Sequence, residues 1–420
     1  MSTDRSSTPT GECLPDRKTL LLVSAGVEAV PGILRAKAMG LHVVVSDLNP
    51  DAPGVAHCDD FLLASTYDAA ATLEAADRYH RTVRPIDGVL CVAADVPLTV
   101  SHVAAHLGLP GIPIVAAELA SDKLAMKDVL AAAGIPVPWY EPCQSPAHLR
   151  ALLREHPEPL VIKPVDSRGS RGVQRITPQH NPEQAFRDAV QASPTGRAMV
   201  ESFLAGPQVS TESVILGGRG FTPGIIDRNY DRLAQFAPFM IEDGGSQPSI
   251  LPAEPLSELV RTAEQAGLAL GVSDGICKGD MVLTEDGPFV IEVALRLSGG
   301  WMSTDQIPLG TGVDLIGVAI RMALGEPVDP AECRPRFQKG VCIRYFFPDP
   351  GLVTAVEVPP ELASAPWVHK LIVWTRPGDT IPHVRNHTMR AGFAITTGNS
   401  RDEAVARAEE VVRSVRIRIA

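Results

Sequence analysis

Aromatic residues are scarce, 5% of the 420 residues, and the four tryptophans and five tyrosines do not outline a pocket. The seven cysteines, Cys13, Cys58, Cys91, Cys143, Cys277, Cys333 and Cys342, include no CxxC pair. Their odd number and scatter point to reduced thiols in a cytoplasm rather than to a disulfide framework or a cysteine zinc site. No run approaches the ~18 apolar residues of a spanning helix. The segment 1–18 lacks a hydrophobic signal core and reads as a disordered leader. Basic residues are in deficit, 38 against 49 acidic, for a net charge of -11. A general nucleic-acid surface is thereby disfavoured, and an anionic-membrane patch has no support, so any phosphate must be bound locally. His102 and His106 share a helical face but lack the Glu of HExxH, and read as surface or structural histidines.

What is present centres on 278–301, KGDMVLTEDGPFVIEVALRLSGGW. It reads as two antiparallel strands joined at Glu285, Asp286 and Gly287, residue types that suit a tight hairpin. Pairing across that turn sets Asp280 opposite Glu292, so both carboxylates can point into one cleft. Val290, Ile291 and Val293 surround Glu292 with apolar neighbours, and a carboxylate so placed needs a metal or a cation. Arg296, followed by Ser298, Gly299 and Gly300, adds a charge and exposed backbone. Two carboxylates beside an arginine suit magnesium holding a phosphorylated substrate, whereas acidic residues on a half-exposed hairpin are otherwise just its solvated face.

From Thr19 the chain alternates buried strands and amphipathic helices, as a parallel βαβ layer does. The full GxGxxG spacing is absent, since Gly26 is followed by Gly32, so Asp47 at a strand end does not make a nicotinamide site. Next, SDKLAMKDVLAAAGIP starts a helix at Ser121 or Asp122 and places Lys123 and Lys127 one turn apart, normally a solvated pair. The strand PLVIKP carries Lys163 in its interior, where an unpaired ammonium is costly and calls for an anion. The loop that follows, with Ser167, Arg168, Gly169, Ser170, Arg171 and Gly172, can fold over a polyphosphate. AMVESFLAGPQVSTES then gives a strand ending near Glu201, a Gly206-Pro207 turn, and a strand with Gln208 and Glu212.

In this order, Lys123, VIKP, the glycine-rich loop, VESFL, Asp280 and IEVALR resemble the ATP-grasp superfamily from Thr19 onward, and within it the carboxylate–amine ligases of the L-amino-acid ligase type. The resemblance also extends to biotin carboxylase and carbamoyl-phosphate synthetase. It implies an α/β (α+β grasp) fold: a Rossmann-like domain at 19–118, a small lid at 119–204, an antiparallel-sheet catalytic subdomain at 205–335 and a cap at 336–420. ATP would lie between lid and catalytic subdomain, with Lys123 and Lys163 on phosphates and the 167–172 loop above them. Glu201, Phe203 and Leu204 would frame adenine, Gln208 would meet the ribose, and Glu212 joins the nucleotide contacts. Asp280 and Glu292 would bind Mg2+, with Mn2+ as an alternative, and Arg296 would steady the transferred phosphoryl group. Two positions depart from the pattern: Ala294 stands where the family has Asn, removing a metal ligand, and Gln208 stands where Glu is common.

The stretch 228–252 reads as an irregular glycine-rich loop. The resemblance instead places it beside an acceptor pocket, with Arg228 for a carboxylate and Glu242 for an amine, completed by Ser298, Gly299 and Gly300. Arg344 and Arg390 are further candidate contacts. The implied activity is ADP-forming ligation of a carboxylate to an amine through an acyl phosphate, on small-molecule substrates and in the cytoplasm. The alternatives are a bicarbonate-using carboxylase and a non-catalytic ATP-binding protein. Homodimers are common in the resembled group, but no seam is readable.

Overall fold

The computed structural model describes residues 17–420. The leader expectation therefore lies outside the described residues except for Arg17 and Lys18, and Lys18 is ion-paired with Glu326 at 2.7 Å.

The N-terminal layer is a four-stranded parallel sheet in the order β3-β2-β1-β4, with β1 Thr19–Val23, β2 His42–Asp47, β3 Asp60–Leu63 and β4 Gly88–Leu90. Every residue of β1 is buried, the pattern of a strand covered on both faces. Asp47 accepts from the amides of Ala25, at 2.9 Å, and Asn49, at 3.0 Å. Its carboxylate thus closes the turn after β1, in keeping with the absence of a dinucleotide fingerprint.

A second, antiparallel sheet, in the order β5-β8-β6-β7, contains β5 Tyr140–Cys143, β6 Leu160–Pro164, β7 Gln174–Ile176 and β8 Ala198–Ser202. Two helices close its core, Pro146–Glu155 through Leu149, Leu152 and Leu153, and Pro182–Ala192 through Ala185 and Ala189. Ser145 and Asn181 cap them by accepting the amides of His148 and Gln184. Helix Lys123–Ala132, capped by Asp122, buries Met126 and Leu130 in a different core, with Leu259, Ala263 and Val293. The helix carrying Lys123 is therefore packed with the large sheet, although the lid was expected to begin at 119.

The large sheet has eight strands in the order β13-β12-β9-β10-β11-β14-β18-β16. They are β9 Gln208–Leu216, β10 Arg219–Arg228, β11 Gly245–Gln247, β12 Gly275–Thr284, β13 Gly287–Ala294, β14 Gly340–Tyr345, β16 Val368–Val373 and β18 Gly392–Gly398. Strands from both sides of residue 336 share it, so the segment expected as a cap extends the large sheet. A small three-stranded sheet of β15 Gly351–Glu357, β17 Thr380–Ile381 and β19 Arg416–Ile419 lies beyond it.

The 278–301 hairpin forms with the expected register, Asp280 opposite Glu292. The register then shifts, with Met281 opposite Val290. This β-bulge turns both Ile291 and Glu292 toward the cavity described next. After β13, Leu297 bridges to Val92 of the N-terminal layer and packs in a core shared by Leu20, Ile33 and Ile307. Arg296 is thus held where the parallel layer and the large sheet meet.

Candidate active site

A cavity of about 730 Å³ is lined from all these units: Glu28 and Asp95 from the parallel layer, Lys163 and Arg168 from the lid, Asp280 and Glu292 from the large sheet. Tyr345, Trp374, His387 and Arg390 from beyond residue 336 complete its walls. Lys163 is only 4% exposed and donates to Glu201 Oε1 at 2.6 Å. Lys123 donates to the Ser167 carbonyl at 2.7 Å and lies 3.2 Å from Glu292 Oε1. It occupies the first position of its helix, where the macrodipole disfavours a cation. Glu292 and the carbonyl hold it there.

Lys127, one turn on, is fully buried, with Nζ 3.1 Å from Glu201 Oε2. The sequence suggested a solvated lysine. Instead its helix turns both lysines inward, and burial pushes Lys127 down to about 8 against the pull of Glu201. Lys127 and Lys163 carry two cations against the single carboxylate of Glu201, whose pKa the two lysines lower despite its burial. This excess of positive charge beside the cavity suits an incoming anion.

The 166–172 loop lies closed. Asp166 anchors its base by accepting from the hydroxyls of Ser193 and Thr195, both at 2.5 Å. The Arg168 guanidinium stacks 3.6 Å from the Tyr67 ring centroid. Gly169 and Ser170 adopt φ of 64° and 59°, the left-handed conformation that glycine takes freely. Ser170 Oγ donates to the Met240 carbonyl at 2.6 Å. Ser167, Arg168, Gly169 and Ser170 line the cavity; Gly172 does not. A Cβ on Gly172 would fall 3.0 Å from the Asp188 carbonyl oxygen, so that residue serves close packing on the 182–192 helix.

Phe203, Leu204 and Gln208 line the cavity as expected of a hinge beside a base and ribose, and the Arg175 guanidinium lies 4.1 Å from the Phe203 ring. Glu212 and Ser298 lie elsewhere. Glu212 is fully buried and accepts from the Ser298 amide at 2.9 Å, the Ser298 hydroxyl, and the Ser303 hydroxyl at 2.8 Å. Burial raises its pKa against these bonds. It props the turn after Arg296 from beneath and does not face the cavity.

Asp280 and Glu292 both line the cavity. Asp280 is ion-paired with Lys278 and with Arg228, 3.3 Å away, and accepts from Ser210 Oγ at 2.6 Å. These partners overcome its burial and hold its carboxyl far below the usual range. Among the described residues no group of three or more His, Cys, Asp or Glu could hold a metal. Two carboxylates with Ala294 beside them fit a magnesium ion that arrives on phosphate oxygens and keeps waters. They do not make an all-protein cage.

On the other side of Arg296 the acceptor-side candidates converge. Arg296 Nε donates to Asp95 at 3.1 Å, fixing the guanidinium. Arg228 pairs with Glu242 at 2.6 Å. Arg390 donates to the Glu242 carbonyl at 2.6 Å and lies over the Tyr345 ring, 3.6 Å from its centroid. Gly299 and Gly300 line the cavity, and the Gly300 amide donates to Glu28 at 2.7 Å. Sequence reasoning missed Glu28, whose pKa burial raises. Arg344 is buried against the Asp243 carbonyl and does not reach the cavity.

Family models match in three consecutive blocks: an ATP-grasp N-terminal domain over 34–111, an ATP-grasp domain over 120–300, and an L-amino acid ligase C-terminal domain 2 over 344–420. The chain is 30% identical over 199 residues to a D-alanine–D-alanine ligase of Desulforudis audaxviator, covering 44% of this chain and 62% of that one. It is 27% identical over 352 residues to carnosine synthase 1 of Homo sapiens, covering 77% and 42% respectively. It thus spans less than two thirds of either relative. The solved structure of an L-amino acid ligase from Bacillus licheniformis superposes with a TM-score of 0.81 at 22% identity, covering 96% of this chain and 99% of that one. Three family blocks in order, a shared fold and the cavity between lid and large sheet lead to one conclusion: the chain belongs to the ATP-grasp superfamily.

Proposed function

We propose that the protein is an ADP-forming ligase that joins a carboxylate to an amine, with ATP as the activating substrate. The observation that carries this reading is the surplus of buried positive charge at Lys127 and Lys163 around Glu201, with Lys163 lining one cavity together with Lys123, Asp280, Glu292 and Arg296. The names of two relatives, D-alanine–D-alanine ligase and carnosine synthase 1, accord with this reading.

In this reading Lys163 and Lys123 take phosphate oxygens, Phe203 and Leu204 flank the base, and Gln208 accepts or donates at the ribose hydroxyls. A magnesium ion on Asp280 and Glu292 would neutralise phosphate charge. A substrate carboxylate oxygen attacks the terminal phosphorus, the bond to the bridging oxygen breaks, and ADP leaves. Arg296, held by Asp95, meets the charge on the transferred group. The amine then attacks the acyl carbon, inorganic phosphate leaves, and the nitrogen gives up a proton. The closed 166–172 loop keeps water from the acyl phosphate. In the same reading Arg390 would take a substrate carboxylate and Glu28 an ammonium; both line the cavity.

The test is ADP release from Mg-ATP across all pairs of the twenty amino acids, with bicarbonate in a separate well. Release that needs a particular pair, with an amide product by mass, supports the ligase. Release with bicarbonate alone replaces it by a carboxylase.

A further inference from the structure

Between the 166–172 loop and the acceptor side stands a short turn, His387–Met389, whose cap Asn386 accepts the Thr388 amide at 3.0 Å. His387 reaches both ways. Its backbone amide donates to the Gly169 carbonyl at 3.0 Å, at the tip of the loop. Its ring nitrogen Nε2 accepts from the Glu242 amide at 3.2 Å. Glu242 in turn is tied to Arg228 and Arg390. The ring can accept only as a neutral imidazole, and its burial near Arg390 and Arg228 keeps the proton affinity well below the usual histidine range. The same loop has a second attachment to this segment through Ser170 to Met240, and β7, which follows the loop, adds one through the Arg175 amide to the Pro238 carbonyl at 2.7 Å.

Lifting the loop would draw the Gly169 carbonyl from the turn that aims the His387 ring. The ring would then lose the Glu242 amide, and Glu242 carries two arginines with it. We propose that His387 is a positioning residue that couples closure of the loop over nucleotide to assembly of the acceptor side around Glu242. The inference rests on the nucleotide reading above. It requires that nucleotide order the 239–243 segment and, by reciprocity, that an occupied acceptor side favour loop closure.

Amide hydrogen exchange on the full chain tests this, with and without Mg2+ and the non-hydrolysable analogue AMP-PNP. In the unsubstituted protein the analogue slows exchange in both 166–173 and 239–243. In His387→Leu, which removes the acceptor, protection of 166–173 persists while the nucleotide-dependent protection of 239–243 falls about fivefold, the worth of one net hydrogen bond. His387→Gln, whose side-chain oxygen can reach the same amide, restores it. A merely structural histidine would lower protection equally with and without nucleotide, and that result overturns the proposal. So does glutamine behaving as leucine. Protection of 166–173 without 239–243 in the unsubstituted protein refutes the coupling alone; protection of neither refutes the nucleotide reading as well.

Discussion

Replacing Lys127 by methionine tests the charge surplus at its least accessible member. The ammonium faces Glu201 and Lys163 from the lid, with Glu292 contributing from the large sheet and the Tyr140 ring 5.9 Å away. A depression from 10.5 to about 8 corresponds to about 3 kcal/mol of destabilisation while the lysine is charged in both states. Between those two values the unfolded chain binds the proton that the folded one has released, so the penalty is full below about 8 and fades as pH rises. Buried cysteines such as Cys91 and Cys277, pushed up to about 12, act in the opposite direction above the usual thiol range. They are common to both proteins and cancel in a comparison. Parallel urea unfolding at pH 7 and pH 9 should therefore show the unsubstituted protein gaining about 1 kcal/mol on Lys127→Met over that interval. Lys163 still neutralises Glu201 in the variant, so the substitution leaves no buried carboxylate alone. A stability difference that stays constant between the two pH values would refute the argument that a charged lysine is buried here without full compensation.

Glu201→Gln should behave differently, because it strands two buried ammonium groups; a loss of about 3–5 kcal/mol is expected in the same unfolding assay, and a loss under about 1 kcal/mol would contradict the ion triad. Glu292→Ala should lower ADP release by ~100-fold or more, as for removal of a transition-state contact, and near-normal release would remove Glu292 from the machinery. Arg168→Ala removes the stacking on Tyr67 and should raise the KM for ATP by roughly threefold with little change in stability; an unchanged KM would show that the loop is held by its other contacts. Gly206→Ala should be destabilising by more than the ordinary surface substitution, since its φ is 141° and a Cβ would fall 2.1 Å from the Leu283 carbonyl oxygen. An unaltered thermal midpoint would show that the hinge relaxes freely.

The hairpin was legible because its polar turn fixes the register, and strand pairing then sets Asp280 opposite Glu292. The bulge that turns Ile291 and Glu292 to the same cavity was not, since it depends on the partner strand. Lys163 announced itself as a charge within an apolar strand. Lys127 did not, because a lysine on a short helix is ordinarily solvated and only the packing of Met126 and Leu130 reveals which face is inward. Glu212, which the resemblance implied among the nucleotide contacts, follows Gln208 and Ser210 at every second residue of β9 and so shares their side of the sheet, but lies past the cavity under Ser298 and Ser303. Glu28 meets Gly300 across 272 residues of sequence, a separation no local pattern spans. The 228–252 stretch looked irregular because its one strand, β11, has three residues and gains its order from β10 and β14 on either side.

That three-residue strand has a consequence for how such a chain can be divided. The match to the L-amino acid ligase C-terminal domain 2 begins at 344, inside β14 at Gly340–Tyr345, while β14, β18 and β16 complete the sheet that starts at β13. A chain ended before β14 would leave β11 as a bare edge, with the amides and carbonyls that now pair to Val341 and Ile343 open to another molecule's backbone. Module boundaries drawn by recurrence of sequence and boundaries set by backbone pairing therefore fall in different places here. An exchange of the C-terminal block between relatives would have to carry a matching edge, strand for strand, or yield a protein prone to self-association.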